Sequence, residues 1–280
     1  MKDFEGRIAL ISGGAGGIGS AIARHLIAAG ARVALADRDL PRAERIAADL
    51  GAGSAIAVPL DVTDADSWIT AREAVEAQLG PVDVLISNAG VAYTGALDAI
   101  DLDAWRWVYE VNIMGALHAV RTFLPGMKAR GQEGHVAMMC SITALHPFAT
   151  QGAYTTSKAA LLNFATVLKQ ELAGTAIGVS AVCPGIVSTD LRANAEDARP
   201  NALKGGIRPP AQLSTSQGMA PDHVGRAVVE AIAADAFFVF THDDYADSIR
   251  SDRDLMLSAM QGSADPDYRE PAHFLTPLPR

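Results

Sequence analysis

A chain of 280 residues, 49% of them hydrophobic, is long enough to bury one sizeable core and is expected to form a single α/β domain. Its formal net charge of −9 argues against nucleic acid or an anionic membrane as a partner. No apolar run approaches the ~20 residues of a membrane span, and Met1-Lys2-Asp3-Phe4-Glu5 starts no secretory apolar stretch, so a cytoplasmic location is expected.

Arg7 to Ser12 is a short apolar run of strand type, followed at once by Gly13-Gly14-Ala15-Gly16-Gly17-Ile18-Gly19. Ala21, Ile22, Leu26 and Ile27 then recur at helical spacing up to Gly30, a helix stop. Strand, glycine turn and helix form the context of a dinucleotide-binding fingerprint. Glycines let the backbone approach a pyrophosphate, and the helix N-terminus offers free N–H groups and a positive dipole end. A second strand over 32–36 ends at Asp37, eighteen residues past Gly19, where an acid would accept hydrogen bonds from an adenosine ribose. A carboxylate there disfavours a 2′-phosphate, so NAD is expected. Arg38 next door is the feature that would admit NADP.

Further strand-type runs occupy 55–60, 82–87, 135–140, 178–183 and 237–240, and helical segments lie near 17–29, 41–50, 64–79, 101–130, 152–173 and 221–234. Thr63 and Asp64 offer an N-cap for the third helix. The alternation predicts βαβ units and a doubly wound, seven-stranded parallel sheet of Rossmann type, in the order 3-2-1-4-5-6-7. Its carboxyl ends gather Gly13, Asp37, Asp61, Asn88, Ser141 and Pro184, where ligands bind in such sheets. Residues 189–220 carry Gly205-Gly206, Pro209-Pro210 and little periodicity, and are expected to form a lid over the site. Residues 243–260 read as one more amphipathic helix, which completes a domain over 1–262, and 263–280 as a proline-bearing tail. Cys140 and Cys183 each end an apolar run and are expected to be reduced core residues. No His/Cys/Asp cluster has metal-ligand spacing, so no metal is expected.

Tyr154 and Lys158 stand four apart in a helical stretch, on one face and one turn from each other, and Ser141 lies thirteen residues upstream at a strand end. A free phenol titrates near pH ~10, so a tyrosine base at neutrality needs about 4 kcal/mol of preference for the phenolate. One ammonium at ~4.5 Å in an effective dielectric of ~20 supplies on the order of 3–4 kcal/mol. With Ser141 holding a substrate oxygen against the phenol, this is a proton-transfer site suited to alcohols and ketones.

These residues resemble the short-chain dehydrogenase/reductase family over roughly residues 4–240. Ser12 to Gly19 resembles its T-G-x-x-x-G-x-G loop, with serine in place of threonine, and Asp61-Val62 the acid–aliphatic pair that contacts adenine. Ser87-Asn88-Ala89-Gly90 is similar to its N-N-A-G element, with one change at Ser87. Asn112 corresponds to the catalytic asparagine, Ser141, Tyr154 and Lys158 to the catalytic trio, and Pro184 to Thr189 to the P-G-x-V-x-T stretch beside the nicotinamide. The resemblance implies Tyr154 as general base in oxidation and acid in reduction, and Lys158 lowering its pKa and binding the nicotinamide ribose. It also implies Ser141 steadying the alcohol or carbonyl oxygen and Asn112 placing a relay water. The implied dinucleotide contacts are Gly13, Ala15, Gly16, Gly17, Ile18, Gly19, Asp37, Arg38, Asp61, Val62, Asn88, Ala89, Gly90, Tyr154, Lys158, Pro184, Gly185, Val187 and Thr189.

Substrate contacts are expected from Ser141, Thr143, Leu145, His146, Gln151, Tyr154 and Ile186, with Ile142, Ala144, Pro147, Phe148, Val91 and Tyr93 nearby. This largely apolar lining suits a bulky hydrophobic secondary alcohol or its ketone. His146 also reads as an ordinary loop histidine, and Trp105 and Trp107 as core or subunit packing. The Trp105-Arg106-Trp107 segment and the Phe237-to-His242 ending look like those of relatives that act on hydrophobic or aromatic alcohols, including lignin-derived aryl alcohols. The resemblance also implies a homodimer or homotetramer pairing the helices near 101–130 and 152–173. The alternatives are an NADPH-dependent carbonyl reductase and a non-catalytic NAD-binding regulator. An enoyl reductase of related fold spaces its tyrosine and lysine more widely.

Overall fold

The computed structural model describes residues 1, 3–189, 199–200, 218–260 and 270. Seven parallel strands form one sheet: β1 (Ile8–Ser12), β2 (Arg32–Asp37), β3 (Ala55–Pro59), β4 (Val84–Ser87), β5 (Gly134–Met139), β6 (Ile177–Cys183) and β7 (Phe238–Phe240). They lie in the order β3-β2-β1-β4-β5-β6-β7, as the alternation of elements predicts. β1 pairs with β2 from Ile8↔Arg32 to Ser12↔Ala36 and with β4 from Ala9↔Val84 to Ile11↔Ile86. The winding reverses between β1 and β4, and the crevice beyond their carboxyl ends is where a ligand fits in a sheet of this kind.

Every residue of β1 is buried, because helices cover both faces of the sheet. Alternate side chains enter opposite layers. Ile8 and Leu10 join Trp68, Phe123 and Leu161 from α3 (Ala65–Gln78), α5 (Gly115–Arg130) and α6 (Gly152–Glu171). Ala9 and Ile11 join Ile22, Ala43 and Val228 from α1 (Gly17–Ala28), α2 (Leu40–Asp49) and α7 (Pro221–Ala234). Asp64 caps α3, accepting from the Asp66 N–H at 2.9 Å.

The stretch read as one helix over 101–130 is three pieces. α4 (Leu102–Tyr109) passes into a π-turn over Glu110–Met114 before α5 begins. A wide turn of this kind is rare and recurs at functional sites, and here it carries Asn112. The helix expected over 243–260 forms as α8 (Ala246–Ala259), but none of its side chains is buried and Leu255, Met256, Leu257 and Met260 remain exposed.

Cys140 and Cys183 are free, buried thiols in the α3/α5/α6 layer. They lie one residue beyond the Met139↔Val182 pair of the β5/β6 ladder. Among the described residues no helix is long and apolar enough to cross a membrane, and no His/Cys/Asp/Glu group could hold a metal ion. The expected lid, apart from Thr189, Arg199, Pro200 and 218–220, lies outside the described residues, as does the tail except for Glu270.

Candidate functional site

The glycine turn works by having no side chains where the chain crosses itself. Gly13 sits at φ +64°, and a Cβ there would come within 2.9 Å of the Ala89 Cα. A Cβ on Gly19 would strike the Gly13 carbonyl. Gly16 caps α1 without a side-chain hydrogen bond, and no acidic residue occupies the first turn, so the positive end of the helix faces the cavity uncompensated. Ser12 ties this turn across the switch point. Its Oγ accepts from the N–H groups of Asn88 (3.1 Å) and Ala89 (3.2 Å), while Asn88 Nδ2 donates to the carbonyls of Ser12 (2.9 Å) and Gly13 (3.1 Å).

At the end of β2, the Asp37 carboxylate accepts from the Ala15 N–H at 2.9 Å through one oxygen and from the Asp39 N–H at 3.0 Å through the other. It is therefore held rigidly beside the glycine turn, with lone pairs left for a ligand hydroxyl. Asp61 is set similarly, one oxygen accepting from the Thr63 N–H (2.9 Å) and hydroxyl (2.7 Å).

Ser141 caps the 3₁₀ turn Ile142–Ala144, its Oγ accepting from the Thr143 N–H at 3.2 Å. Tyr154 and Lys158 project from α6. Lys158 is buried, its Nζ donating to the Met139 carbonyl at 2.7 Å and lying 5.7 Å from the Tyr154 ring centre. Burial pulls its pKa down to about 8. The Tyr154 phenol is pushed above its ordinary value, first by desolvation, with the Ser141 hydroxyl countering. Charge proximity alone predicts an acidified phenol, whereas burial outweighs it here, and the ammonium donates to the Met139 carbonyl on β5.

Asn112 is buried and its amide is heavily engaged. Oδ1 accepts from the Val91 N–H at 2.9 Å, and Nδ2 donates to the Val91 carbonyl (3.0 Å) and the Ser157 Oγ (2.9 Å). It thus ties the chain after β4 to α6 on the turn that carries Tyr154 and Lys158. Its side chain does not line the cavity.

The segment after β6 is pinned by a residue that sequence reasoning placed only in an aromatic strand ending. His242 Nδ1 accepts from the Gly185 N–H at 3.0 Å, so its Nε2 donates to the Ile186 carbonyl at 3.1 Å. The Pro184 carbonyl accepts from the Ile142 N–H at 2.9 Å, joining this segment to the turn behind Ser141. Thr150 sits at φ +65°, a strained conformation for a β-branched residue, and is held by the Gly95 N–H at 2.8 Å.

Gly13, Gly16 to Gly19, Asp37, Asp61, Asn88, Ser141, Tyr154, Lys158 and Pro184 to Val187 line one cavity of about 940 Å³. Every residue expected to touch the dinucleotide lines it, as do Ser141, Thr143, Gln151, Tyr154 and Ile186 of the expected substrate contacts. Leu145 and His146 do not; His146 packs behind the wall, 5.3 Å ring to ring from Phe148. Tyr93 is buried outside it, beneath the Arg199 guanidinium. Trp107, Val111, Arg42 and Tyr245 also line it and were not expected there. Trp107 and Val111 stand four apart, a helical spacing that could have placed both on one face, whereas nothing local marks Tyr245. The bare glycine turn, the uncapped end of α1 and the fixed Asp37 fit a dinucleotide: phosphates at the turn, ribose at the carboxylate, and the reactive ring toward Ser141, Tyr154 and Pro184–Val187.

The sequence pattern of the family described as short chain dehydrogenase matches residues 7–200. A short chain dehydrogenase of Pseudocercospora fijiensis is 38% identical over 194 residues, covering 68% of this chain and 62% of that protein. The 1-deoxy-11-beta-hydroxypentalenate dehydrogenase of Streptomyces exfoliatus is 32% identical over 245 residues, covering 86% and 85%. Among solved structures, a short chain dehydrogenase/reductase from Burkholderia phymatum in complex with NAD superposes with a TM-score of 0.87 at 30% identity, covering 96% of this chain and 100% of that one.

Proposed function

Since the chain belongs to the short chain dehydrogenase family, we propose that it is an NAD-dependent oxidoreductase that reversibly converts a hydrophobic or aromatic secondary alcohol to its ketone. The observation that carries this reading is the meeting, in one cavity, of Ser141, Tyr154 and Lys158 with an uncapped helix N-terminus and a fixed Asp37. The solved relative with bound NAD and the Streptomyces relative, named for a hydroxylated substrate, support it.

A nicotinamide held against Pro184 to Val187 would supply the hydride-transfer chemistry at the alcohol carbon. The rest falls to the chain's own side chains. Tyr154 accepts the hydroxyl proton in oxidation and donates it to the ketone in reduction. Ser141 holds the substrate oxygen. Lys158 sets a cationic group beneath the site and would bind the nicotinamide ribose. Asn112 acts as a positioning residue, fixing Val91 and the α6 turn. Val91, Ile142, Phe148 and Ile186 exclude water and favour apolar substituents.

Asp37 favours NAD through its lone pairs toward the ribose hydroxyls and its charge against a 2′-phosphate. Arg38 and Arg42 on the same wall favour the second reading, an NADPH-dependent carbonyl reductase. In either case the family resemblance supports a homodimer or homotetramer, which light scattering of the purified protein tests. The function is tested by assaying the protein with NAD and NADP against secondary alcohols and with the reduced forms against their ketones. Turnover with NAD is expected; absence of any dinucleotide-dependent turnover across both panels refutes the assignment.

A further inference from the structure

The geometry points to Tyr245 and Phe148 as the side chains that select an aryl secondary alcohol over a saturated one of the same carbon skeleton, an inference that rests on the function proposed above. Helix α8 buries none of its own side chains, yet Tyr245, the residue that caps its start, is half-buried and lines the cavity. Its ring lies 6.4 Å from that of Phe148 at 75° and 5.8 Å from that of His146, and Phe148 meets His146 at 5.3 Å and 86°. Edge-to-face contacts therefore run from the cavity wall to its support, with two members exposed to a ligand and the third, His146, behind them.

The pair is mounted where it can act. Three residues before Tyr245, both ring nitrogens of His242 are hydrogen-bonded to the backbone of Gly185 and Ile186. Farther along α8, Asp252 lies 3.8 Å from His146 Nδ1. Phe148 belongs to the chain between Ser141 and Tyr154, and the strained Thr150 fixes its exit. Ser141, Tyr154, Phe148 and Tyr245 line the same cavity, so a substrate oxygen held by Ser141 and Tyr154 leaves its substituent a lining to which these two rings contribute.

Such a wall discriminates by chemistry as well as size. Aromatic rings carry a negative face and a positive edge, so a phenyl substituent extends the edge-to-face series and gains beyond its buried area. A puckered cyclohexyl group gains only the area. Neither Tyr245 nor Phe148 belongs to a buried apolar cluster, so the core does not account for either ring.

The test compares kcat/KM for 1-phenylethanol and 1-cyclohexylethanol with NAD in the full-length wild type, Tyr245→Ala, Tyr245→Phe and Phe148→Leu. The ratio of phenyl to cyclohexyl efficiency is expected to fall roughly three- to tenfold in Tyr245→Ala. The change is carried by KM, while the melting temperature and the KM for NAD stay at wild-type values. Phe148→Leu, which keeps an apolar group of similar bulk, is expected to lower the ratio similarly, and Tyr245→Phe to preserve it. An unchanged ratio in both Tyr245→Ala and Phe148→Leu, or an equal loss on both alcohols, overturns the inference while leaving the proposed function standing. A wild type that turns over neither alcohol nor any other in the panel, with either dinucleotide, overturns the function and this inference together.

Discussion

Replacing Asp37 with serine separates what this carboxylate does for the loop from what it does for a ligand. One oxygen holds the Ala15 N–H at 2.9 Å and the other the Asp39 N–H at 3.0 Å. Losing them loosens the glycine turn, a change that affects NAD and NADP alike. The remaining lone pairs serve only a dinucleotide with a free ribose hydroxyl. A hydrogen bond to a charged group contributes about 1.5–3 kcal/mol, so kcat/KM with NAD should fall about 10- to 150-fold beyond the shared loss. With NADP the variant also loses a repulsion, and Arg38 and Arg42 remain on that wall. The assay is the ratio of kcat/KM for the two dinucleotides at saturating alcohol, before and after substitution. A ratio that stays constant while both efficiencies drop would mean that Asp37 braces the loop and reads no ribose.

Acid should unfold the protein partly through His135, which is fully buried, hydrogen-bonded to Ser180 at 2.8 Å, and held to a pKa of about 3 by desolvation. The folded state resists a proton that the unfolded chain accepts below about 6.5, so stability falls with pH through that window. Between pH 7 and 5 the wild type should lose about 2 kcal/mol relative to His135→Met in urea unfolding, and parallel pH curves for the two would contradict this. His242→Ala removes two backbone hydrogen bonds at Gly185 and Ile186. At about 1 kcal/mol each, dinucleotide affinity measured by fluorescence titration should weaken about five- to thirtyfold, whereas unaltered binding would mean that the segment holds itself. With Tyr154 pushed above the ordinary phenol range and Lys158 drawn down to about 8, oxidation should accelerate as pH rises through neutrality. Ketone reduction should be flat there and decline in alkali; pH–rate profiles in both directions check the sign.

The sheet was legible because its evidence is local and repeated. Each strand is a short apolar run, each helix follows at a regular interval, and the alternate residues of β1 feed opposite layers. The glycine turn, Asp37 and the Tyr154/Lys158 pair were legible for a related reason: their spacing is fixed by chemistry within one turn or one βαβ unit. Less was visible where structure depends on distant partners. The π-turn at Glu110–Met114 has no composition of its own, and the partners of its Asn112 amide, Val91 and Ser157, lie on distant segments. Tyr245 stands 91 residues beyond Tyr154 in the chain, and only the fold brings both to one cavity. Charge proximity predicted an acidic phenol, but the lysine's partner, the Met139 carbonyl, lies on β5 and cannot be read from helical spacing.

Tyr154→Phe tests the central claim most directly, because it removes one oxygen from a half-buried ring and leaves the glycine turn, Asp37 and Lys158 untouched. The account predicts NAD binding within a few-fold of wild type by titration and loss of at least about a thousandfold in kcat with a secondary alcohol, the scale of a lost general base. Turnover near the wild-type rate in that variant, with NAD bound normally, would contradict it.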